Sequence, residues 1–288
     1  EFRRVLFRST KFPDVVTADV LDRESLVKSM AGVDSVIHLA AKKAVGESVD
    51  NPLKYYENNF GGTLNILAAM KIAGVNKIVF SSTAAVYSPS EKPAITEEDS
   101  TIPLSPYGAT KLLSEQLISN VSSAEGFSCV SLRYFNVAGS GSDEMGDNSR
   151  DNLVPKVFLA ITNGERPEVF GTDYPTPDGT CIRDYIHVSD LARAHIDALK
   201  AVEKSRIDEI YNVGSGNGFS VTEVMTEIEK AMGKNLNPIL GPRRAGDSPK
   251  LIASIEKISR DLGWKPKHTL RDMITSSWSA WQSQGGSR

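Results

Sequence analysis

Apolar positions along the first half of the chain alternate between strand-like runs and helical spacing. Residues 15–20 (VVTADV) form a short β-branched run ending near an acid. Asp22 then reads as the N-cap of a helix reaching about Met30. Residues 33–41 (VDSVIHLAA) are mostly apolar, as a strand buried on both faces of a parallel sheet would be. From Asn51-Pro52 to about Ala73 a long helix is predicted, because Leu53, Tyr56, Phe60, Leu64, Leu67 and Met70 recur at helical spacing and Gly74 stops the pattern. Residues 77–82 (KIVFSS) predict the next strand, residues after Pro106 a further helix, and residues 129–134 (CVSLRY) another strand. Strands alternating with helices argue for βαβ units, that is, an α/β fold with a doubly wound parallel Rossmann-type sheet. Such sheets bind ligands beyond the carboxyl ends of their strands. Leu39-Ala40-Ala41, Ser81-Ser82-Thr83 and Phe135-Asn136 fall at those ends.

The rhythm changes near Gly139, where residues 139–151 (GSGSDEMGDNSRD) are polar and Gly-rich. Two domains are predicted: a Rossmann-type domain over residues 1–148, and over 149–288 mainly a smaller α/β lobe with some segments returning to the first domain. In the second part a helix is expected over 152–164 despite Pro155, and a strand over 183–188. Ser189-Asp190 is expected to cap a helix running through Lys200, and a strand is expected over 210–214. An amphipathic helix over 221–232 has Ser220 as its cap, and a final helix spans about 270–281.

Composition narrows the class. The chain has 288 residues and a formal net charge of −3, with no basic footprint for nucleic acid. Its two cysteines, Cys129 and Cys181, follow no metal spacing and read as reduced thiols of an intracellular, cytoplasmic protein. The four histidines form no ligand cluster, so no metal is expected, and no apolar run approaches a membrane span. His38, inside an apolar run, reads as a satisfied core histidine.

The chemistry centres on Ser105-Pro106-Tyr107-Gly108-Ala109-Thr110-Lys111. Pro106 suits a first helical turn, and Tyr107 and Lys111 then lie at i and i+4 on one face. A neighbouring ammonium favours the phenolate and lowers a tyrosine pKa from about 10. Such a tyrosine can take a hydroxyl proton and return it. Thr83 could place a hydroxyl on the same substrate oxygen. Arg183 beside Asp184 reads either as a local ion pair or as a site residue. Arg243-Arg244 with Asp247 forms a loop suited to phosphate or to solvated charge.

Several blocks together are more specific. They are Lys43-Ala44-Val45-Gly46-Glu47-Ser48, Ser105-Pro106-Tyr107-Gly108, Arg133-Tyr134-Phe135-Asn136, Asp173-Tyr174-Pro175-Thr176, Asp178-Gly179-Thr180, residues 183–188 (RDYIHV) and Pro242-Arg243-Arg244. In this order, from about Val15 to the C-terminus, the chain resembles the UDP-sugar 4-epimerases of the extended short-chain dehydrogenase/reductase family. The resemblance implies reversible C4 epimerisation of UDP-glucose and UDP-galactose through a 4-keto sugar, with hydride passing to and from bound NAD. It implies Tyr107 as the acid/base, Lys111 on the nicotinamide ribose, and Thr83 on the sugar 4-oxygen. It places Asp19 and Val20 at adenine, and Leu39, Lys43, Asn58 and Phe135 along the rest of NAD. It places Asn136, Asn152, Val169, Phe170, Arg183, Arg244 and Asp247 at the UDP-sugar, with the arginines on the pyrophosphate. Leu251 falls at the position gating the sugar 2-substituent, where a leucine implies weak use of N-acetylated sugars. A homodimer is implied, built on the helices over 51–73 and after Pro106, with Tyr55, Tyr56, Ile66, Leu112 and Leu113.

The family also carries a Gly-rich turn at its start, while the first glycine here is Gly32. The expectation is a chain lacking roughly a first strand, helix and second strand, with residues 1–10 foreign to the family. Such a chain would hold NAD weakly and turn over little. Two alternatives stay open: a related sugar-nucleotide epimerase or dehydratase, and an inactive UDP-sugar-binding remnant. Thr83-Ala84-Ala85 offers no acid where a dehydratase needs one, which favours epimerisation.

Overall fold

The computed structural model describes residues 15–149, 151–244 and 247–285. The expectations for residues 1–10 lie outside the described residues. The chain divides into two compact units. One takes the chain up to Tyr87, then Thr101–Ser131 and Ala198–Ile210; the other takes Ser88–Ser100, Leu132–Asp197 and the chain from Tyr211 onward.

In chain order the elements begin α1 (Arg23–Ser29), β1 (Val36–His38), α2 (Val45–Asp50), α3 (Pro52–Tyr55), α4 (Gly62–Ala73), β2 (Lys77–Ser81), α5 (Pro106–Glu125) and β3 (Ser128–Tyr134). There follow β4 (Asn136–Ala138), α6 (Leu153–Thr162), β5 (Glu168–Phe170), β6 (Ile182–His187), α7 (Val188–Lys204) and β7 (Asp208–Val213). The chain ends with β8 (Gly218–Ser220), α8 (Val221–Met232), β9 (Ile239–Gly241), β10 (Lys250–Leu251), α9 (Glu256–Leu262) and α10 (Leu270–Ser283).

The main sheet has the order β1-β2-β3-β7, and β1 pairs with β2 in parallel. The α/β architecture expected from the alternation is therefore present. Its helical cover in the first unit packs Ile66, Leu67 and Met70 of α4 and Ile118 of α5 against Ile78 and Phe80 of β2. In the second unit β6 runs parallel to β4 and β10 and antiparallel to β8. A separate core there joins α6, α8 and α10 through Phe158, Ile228, Ile274 and Trp281.

Several expected elements differ. Residues 15–19 form no strand: Val15 and Val16 are exposed, and no described strand pairs with them. The segment instead closes in a turn, where the Asp19 carboxylate accepts from the Leu21 amide at 2.9 Å and the Asp22 amide donates to the Asp19 carbonyl at 3.0 Å. Asp22 then caps α1 as expected. The strand expected over 33–41 is only the three residues of β1. The helix expected over 51–73 begins at Pro52 but passes through a wider π-helical stretch, Tyr56–Gly61, before α4. Ser189-Asp190 does not cap a helix, because α7 already starts at Val188. Asp190 is instead fully buried, accepting from Arg193 and from the amides of Lys267 and His268.

Candidate functional site

The first unit gathers the acid/base candidates at the carboxyl end of β2. Ser105 caps α5 by accepting from the Gly108 amide at 3.2 Å, and Pro106 occupies the first turn. A side chain on Gly108 would meet the Ala85 carbonyl oxygen at 2.3 Å, so the missing Cβ lets α5 start directly against the turn that follows Thr83. Tyr107 is buried, and its amide donates to the Ser48 hydroxyl of α2 at 3.2 Å. Thr83 is buried as well, and its hydroxyl accepts from the Ala85 amide at 3.2 Å.

Lys111 is almost completely enclosed. Its ammonium donates to the Ser81 carbonyl at 2.8 Å and lies 4.7 Å from the centre of the Phe80 ring. Burial lowers its pKa to about 7, while the charge of Glu115 acts in the opposite direction. An ammonium has three donors. Among the described residues one is used, by the Ser81 carbonyl, which leaves capacity for a ligand's hydroxyls.

The predicted cofactor residues of this unit take distinct settings. Val20 rests on Gly62, where an added Cβ would lie 2.8 Å from the Val20 side chain, and the Val20 carbonyl accepts from Asn65 at 3.2 Å. Asp19 and Lys43 are exposed. Leu39, just past β1, is 65% exposed, an open apolar surface at a strand end. Asn58 lies in the π-helical stretch and donates to Asn59 at 3.0 Å. Asn59, which the sequence reading missed, is the buried member of the pair and holds both the amide and the carbonyl of Lys42. π-helical insertions are frequent at functional sites, and none of the local residue types announces one. His38 is the satisfied core histidine expected: its Nε2 pairs with the Thr63 hydroxyl at 3.2 Å, and burial drives its pKa down to about 3.

These features fit NAD. The remaining donor capacity of a buried ammonium suits a ribose diol, the open Leu39 surface suits a planar ring, and the exposed Asp19 carboxylate suits sugar hydroxyls or adenine.

The second unit gathers most of the predicted substrate residues. Arg183 does not pair with its neighbour Asp184. Its guanidinium reaches the Asp247 carboxylate at 3.1 Å and the carbonyls of Ile182 and Ser248. Asp184 is fully buried and accepts from the amides of Ser215, Gly216 and Ala253 and from the Ser215 hydroxyl. Burial raises its pKa to about 6 against those bonds. Arg243 is tied to Asp173 and stands 4.4 Å from the Tyr174 ring. Among the described residues Arg244 has no ion pair; its guanidinium lies over the Phe170 ring at 3.9 Å.

Phe170, Arg244 and Asp247 line one cavity of about 350 Å³. Lys156 lines it too, 5.9 Å from the centre of the Phe170 ring, and was not among the predicted residues. Its position four after Asn152, one turn into α6, is the signal that would have found it. Asn152 precedes α6 without capping it and donates instead to Asp147 at 2.6 Å. Val169 has its side chain packed in the core of its unit and lies in β5 in register with Leu240 of β9. Asn136 is exposed, while Phe135 is buried and its amide donates to the Val213 carbonyl at 3.1 Å. Leu251 is half-buried in β10, in register with Arg183 of β6.

Among the described residues no cluster of metal-binding side chains occurs, and no helix is long and apolar enough to cross a membrane.

Comparison with known proteins follows the same lines. Residues 3–214 match the NAD dependent epimerase/dehydratase family, so the match takes in residues 3–10, which the sequence reading expects to be foreign to the family. A UDP-glucose 4-epimerase of Azospirillum brasilense is 44% identical over 93% of this chain and 78% of its own length. A UDP-glucose 4-epimerase of Stenotrophomonas maltophila, solved with bound NAD and formylated UDP-arabinopyranose, superposes with a TM-score of 0.90 at 37% identity, over 93% of this chain and 82% of that one. One from Bifidobacterium longum in complex with NAD+ and UDP gives 0.85 at 39%, over 94% and 83%. With the helix-borne Tyr107 and Lys111 on one unit, the arginine-lined cavity on the other and a family match spanning most of the sequence, the chain belongs to the NAD dependent epimerase/dehydratase family.

Proposed function

We propose that the chain interconverts UDP-glucose and UDP-galactose by inverting C4 through a 4-keto sugar, with NAD as its resident cofactor. The observation carrying this reading is the Tyr107–Lys111 pair, buried at the carboxyl end of β2 beside Thr83. The activity of relatives 44% identical over nearly the whole chain supports it. Inverting C4 requires one of its bonds to break and re-form on the other face, and a nicotinamide cofactor makes the C–H bond the one that does so. NAD, when bound, supplies the hydride acceptor and donor for that step.

The protein's own residues supply the rest. Tyr107 removes the proton of the C4 hydroxyl and later returns it. Lys111 keeps a cation near the phenol and offers its remaining donors to the nicotinamide ribose. Thr83 bonds the sugar 4-oxygen. Asp19, Val20, Leu39, Lys43, Asn58 and Phe135 hold the other parts of NAD. Arg183 and Arg244 bind the diphosphate, Phe170 binds the base with Val169 behind it in β5, and Asp247, Asn152 and Asn136 bind sugar hydroxyls or phosphate. Leu251 bounds the space at the sugar 2-position. Firm binding of UDP and loose binding of the hexose allow the keto sugar to turn over between the two hydride steps. Ala84 and Ala85, in the turn after Thr83, carry no acid for dehydration.

We infer also a two-fold homodimer. Val49 of α2, Leu53 of α3 and Tyr56, which opens the π-helical stretch, are exposed apolar side chains, with Leu53 82% exposed. Leu112 and Leu113 are half-buried. Tyr55 and Ile66 do not belong to such a face, because both are buried in their own unit. The free thiols of Cys129 and Cys181 support a cytoplasmic location.

Incubation with UDP-galactose and NAD, followed by chromatography of the nucleotide sugars, tests the reading. UDP-glucose accumulating to an equilibrium reached from either side is expected. A dehydrated product would refute it, as would the absence of any product from a chain shown to have NAD bound.

A further inference from the structure

The face of α5 that carries Tyr107 and Lys111 does not stop at the lysine. Glu115 lies one further turn along, and all three side chains are buried: Tyr107 is 7%, Lys111 2% and Glu115 4% exposed. An ammonium and a carboxylate out of water are each costly alone, so each needs a compensating group. The Glu115 carboxylate accepts a hydrogen bond from the hydroxyl of Ser82, which is itself fully buried. Ser82 stands between Ser81, whose carbonyl takes the Lys111 ammonium at 2.8 Å, and Thr83. Two side chains one turn apart on α5 thus grip adjacent residues at the carboxyl end of β2.

The charged and titratable groups facing Lys111 can be named element by element. Tyr107 and Glu115 flank it on α5. His38 faces it from β1 and is kept neutral by burial down to about pH 3. From β2 come the Phe80 ring and the Ser81 carbonyl, neither of which titrates. The π-helical stretch brings Asn59, which is uncharged and donates to Thr110 at 3.3 Å. Glu115 is the acidic group of this set.

We propose that Glu115 is a positioning residue: its carboxylate keeps the buried Lys111 ammonium charged and, through Ser82, holds the Thr83 end of β2 against α5. The catalytic meaning of this rests on the roles given above to Lys111, Tyr107 and Thr83; its physical content does not. Glu115 acts by sustaining the cation that makes the Tyr107 phenol acidic.

The test is NMR titration of the whole chain carrying 13Cε-labelled lysine, with the Lys111 signal assigned by its loss in Lys111→Arg. In the unmodified chain Lys111 titrates near 7. Glu115→Gln keeps the shape and removes the charge, so the titration moves to a pH about one unit lower. Ser82→Ala removes the hydroxyl and keeps the charge, and the shift is less than about half as large. Should Glu115→Gln not fold, Glu115→Asp serves, with Lys111 titrating within about half a unit of the unmodified chain. An unmoved Lys111 in Glu115→Gln overturns the proposal. So does an equal shift in Ser82→Ala, a full-unit drop in Glu115→Asp, or an unmodified chain whose Lys111 titrates below about 6. UDP-galactose turnover is recorded in parallel; its absence in the unmodified chain with NAD bound refutes the functional reading and leaves the titration result standing.

Discussion

Replacing Arg244 by alanine separates nucleotide binding from stability, because among the described residues this arginine has no ion pair. Arg183 holds Asp247 and two backbone carbonyls, and Arg243 holds Asp173. Arg244 has only the Phe170 ring beneath it, 3.9 Å away, on the wall of the cavity. Removing it strands no carboxylate, so the fold loses little. A cation resting on an aromatic ring at an exposed site is worth about 0.5–1 kcal/mol. Towards a diphosphate the same guanidinium can make two charge-assisted hydrogen bonds, each about 1.5–3 kcal/mol before the discount for exposure. A net loss of about 2–3 kcal/mol corresponds to UDP binding about 30- to 150-fold weaker. Titration calorimetry with UDP measures this, and uridine is the control. Uridine lacks the diphosphate and binds equally to both proteins. The midpoint of thermal unfolding changes by no more than a few degrees. A UDP affinity within about threefold of the unmodified chain would refute the reasoning, as would an equal loss for uridine.

Lys156, Arg166 and Arg244 are the cations lining that cavity, and Arg166 is held by the carbonyls of Asn237 and Pro238. Lys156→Met weakens UDP binding by about 3- to 10-fold, less than Arg244→Ala because a single exposed ammonium is more strongly hydrated. Asp190→Asn destabilises the chain. Burial raises the Asp190 carboxyl, but bonds from Arg193, His268 and Lys267 outweigh it and hold the pKa at about 2, below the ordinary 3.8. That gap is worth about 2.5 kcal/mol, present above pH 4 and lost as pH falls through 2, so urea unfolding at pH 7 shows the deficit and at pH 3 about half of it. A deficit independent of pH would contradict this. Leu251 leads to preferential turnover of UDP-glucose and UDP-galactose over the N-acetylated pair, and equal kcat/KM for both pairs would place the gate elsewhere. Light scattering gives the mass of a dimer at micromolar concentration, and Leu53→Asp shifts it towards the monomer; a monomer mass for the unmodified chain would rule the dimer out.

Much of this was legible before the fold was known, where one local signal sufficed. Asp22, Pro106 and Ser220 marked helix starts, because a helix's first turn is decided by a few neighbouring residues. The Tyr107–Lys111 face followed from helical spacing alone. Long-range partners were not legible. Nothing in the pair Arg183-Asp184 says that the arginine goes to Asp247 while the aspartate turns inward to three amides. Gly214 is the other half of that arrangement, since a Cβ there would lie 2.5 Å from Asp184. Residues 15–20 carry strand-forming residue types, yet a strand needs a hydrogen-bonding neighbour, and propensity cannot supply one. The π-helical stretch was hidden for a similar reason: its register serves the tie between Asn59 and Lys42, which sequence spacing does not encode. Glu115 was within reach, one turn beyond the lysine, but its bond to Ser82 depends on where β2 lies.

The central claim, that C4 inverts by loss and return of its own hydrogen, is tested most directly with UDP-galactose carrying deuterium at C4. The whole chain, with NAD, is incubated in ordinary water, and the UDP-glucose formed is examined by NMR and mass spectrometry. The account requires full retention of deuterium at C4, and for Tyr107→Phe a turnover lower by about 10²-fold or more. Loss of the label to solvent would mean that C4 is deprotonated rather than oxidised. Unchanged turnover in Tyr107→Phe would remove Tyr107 from the chemistry.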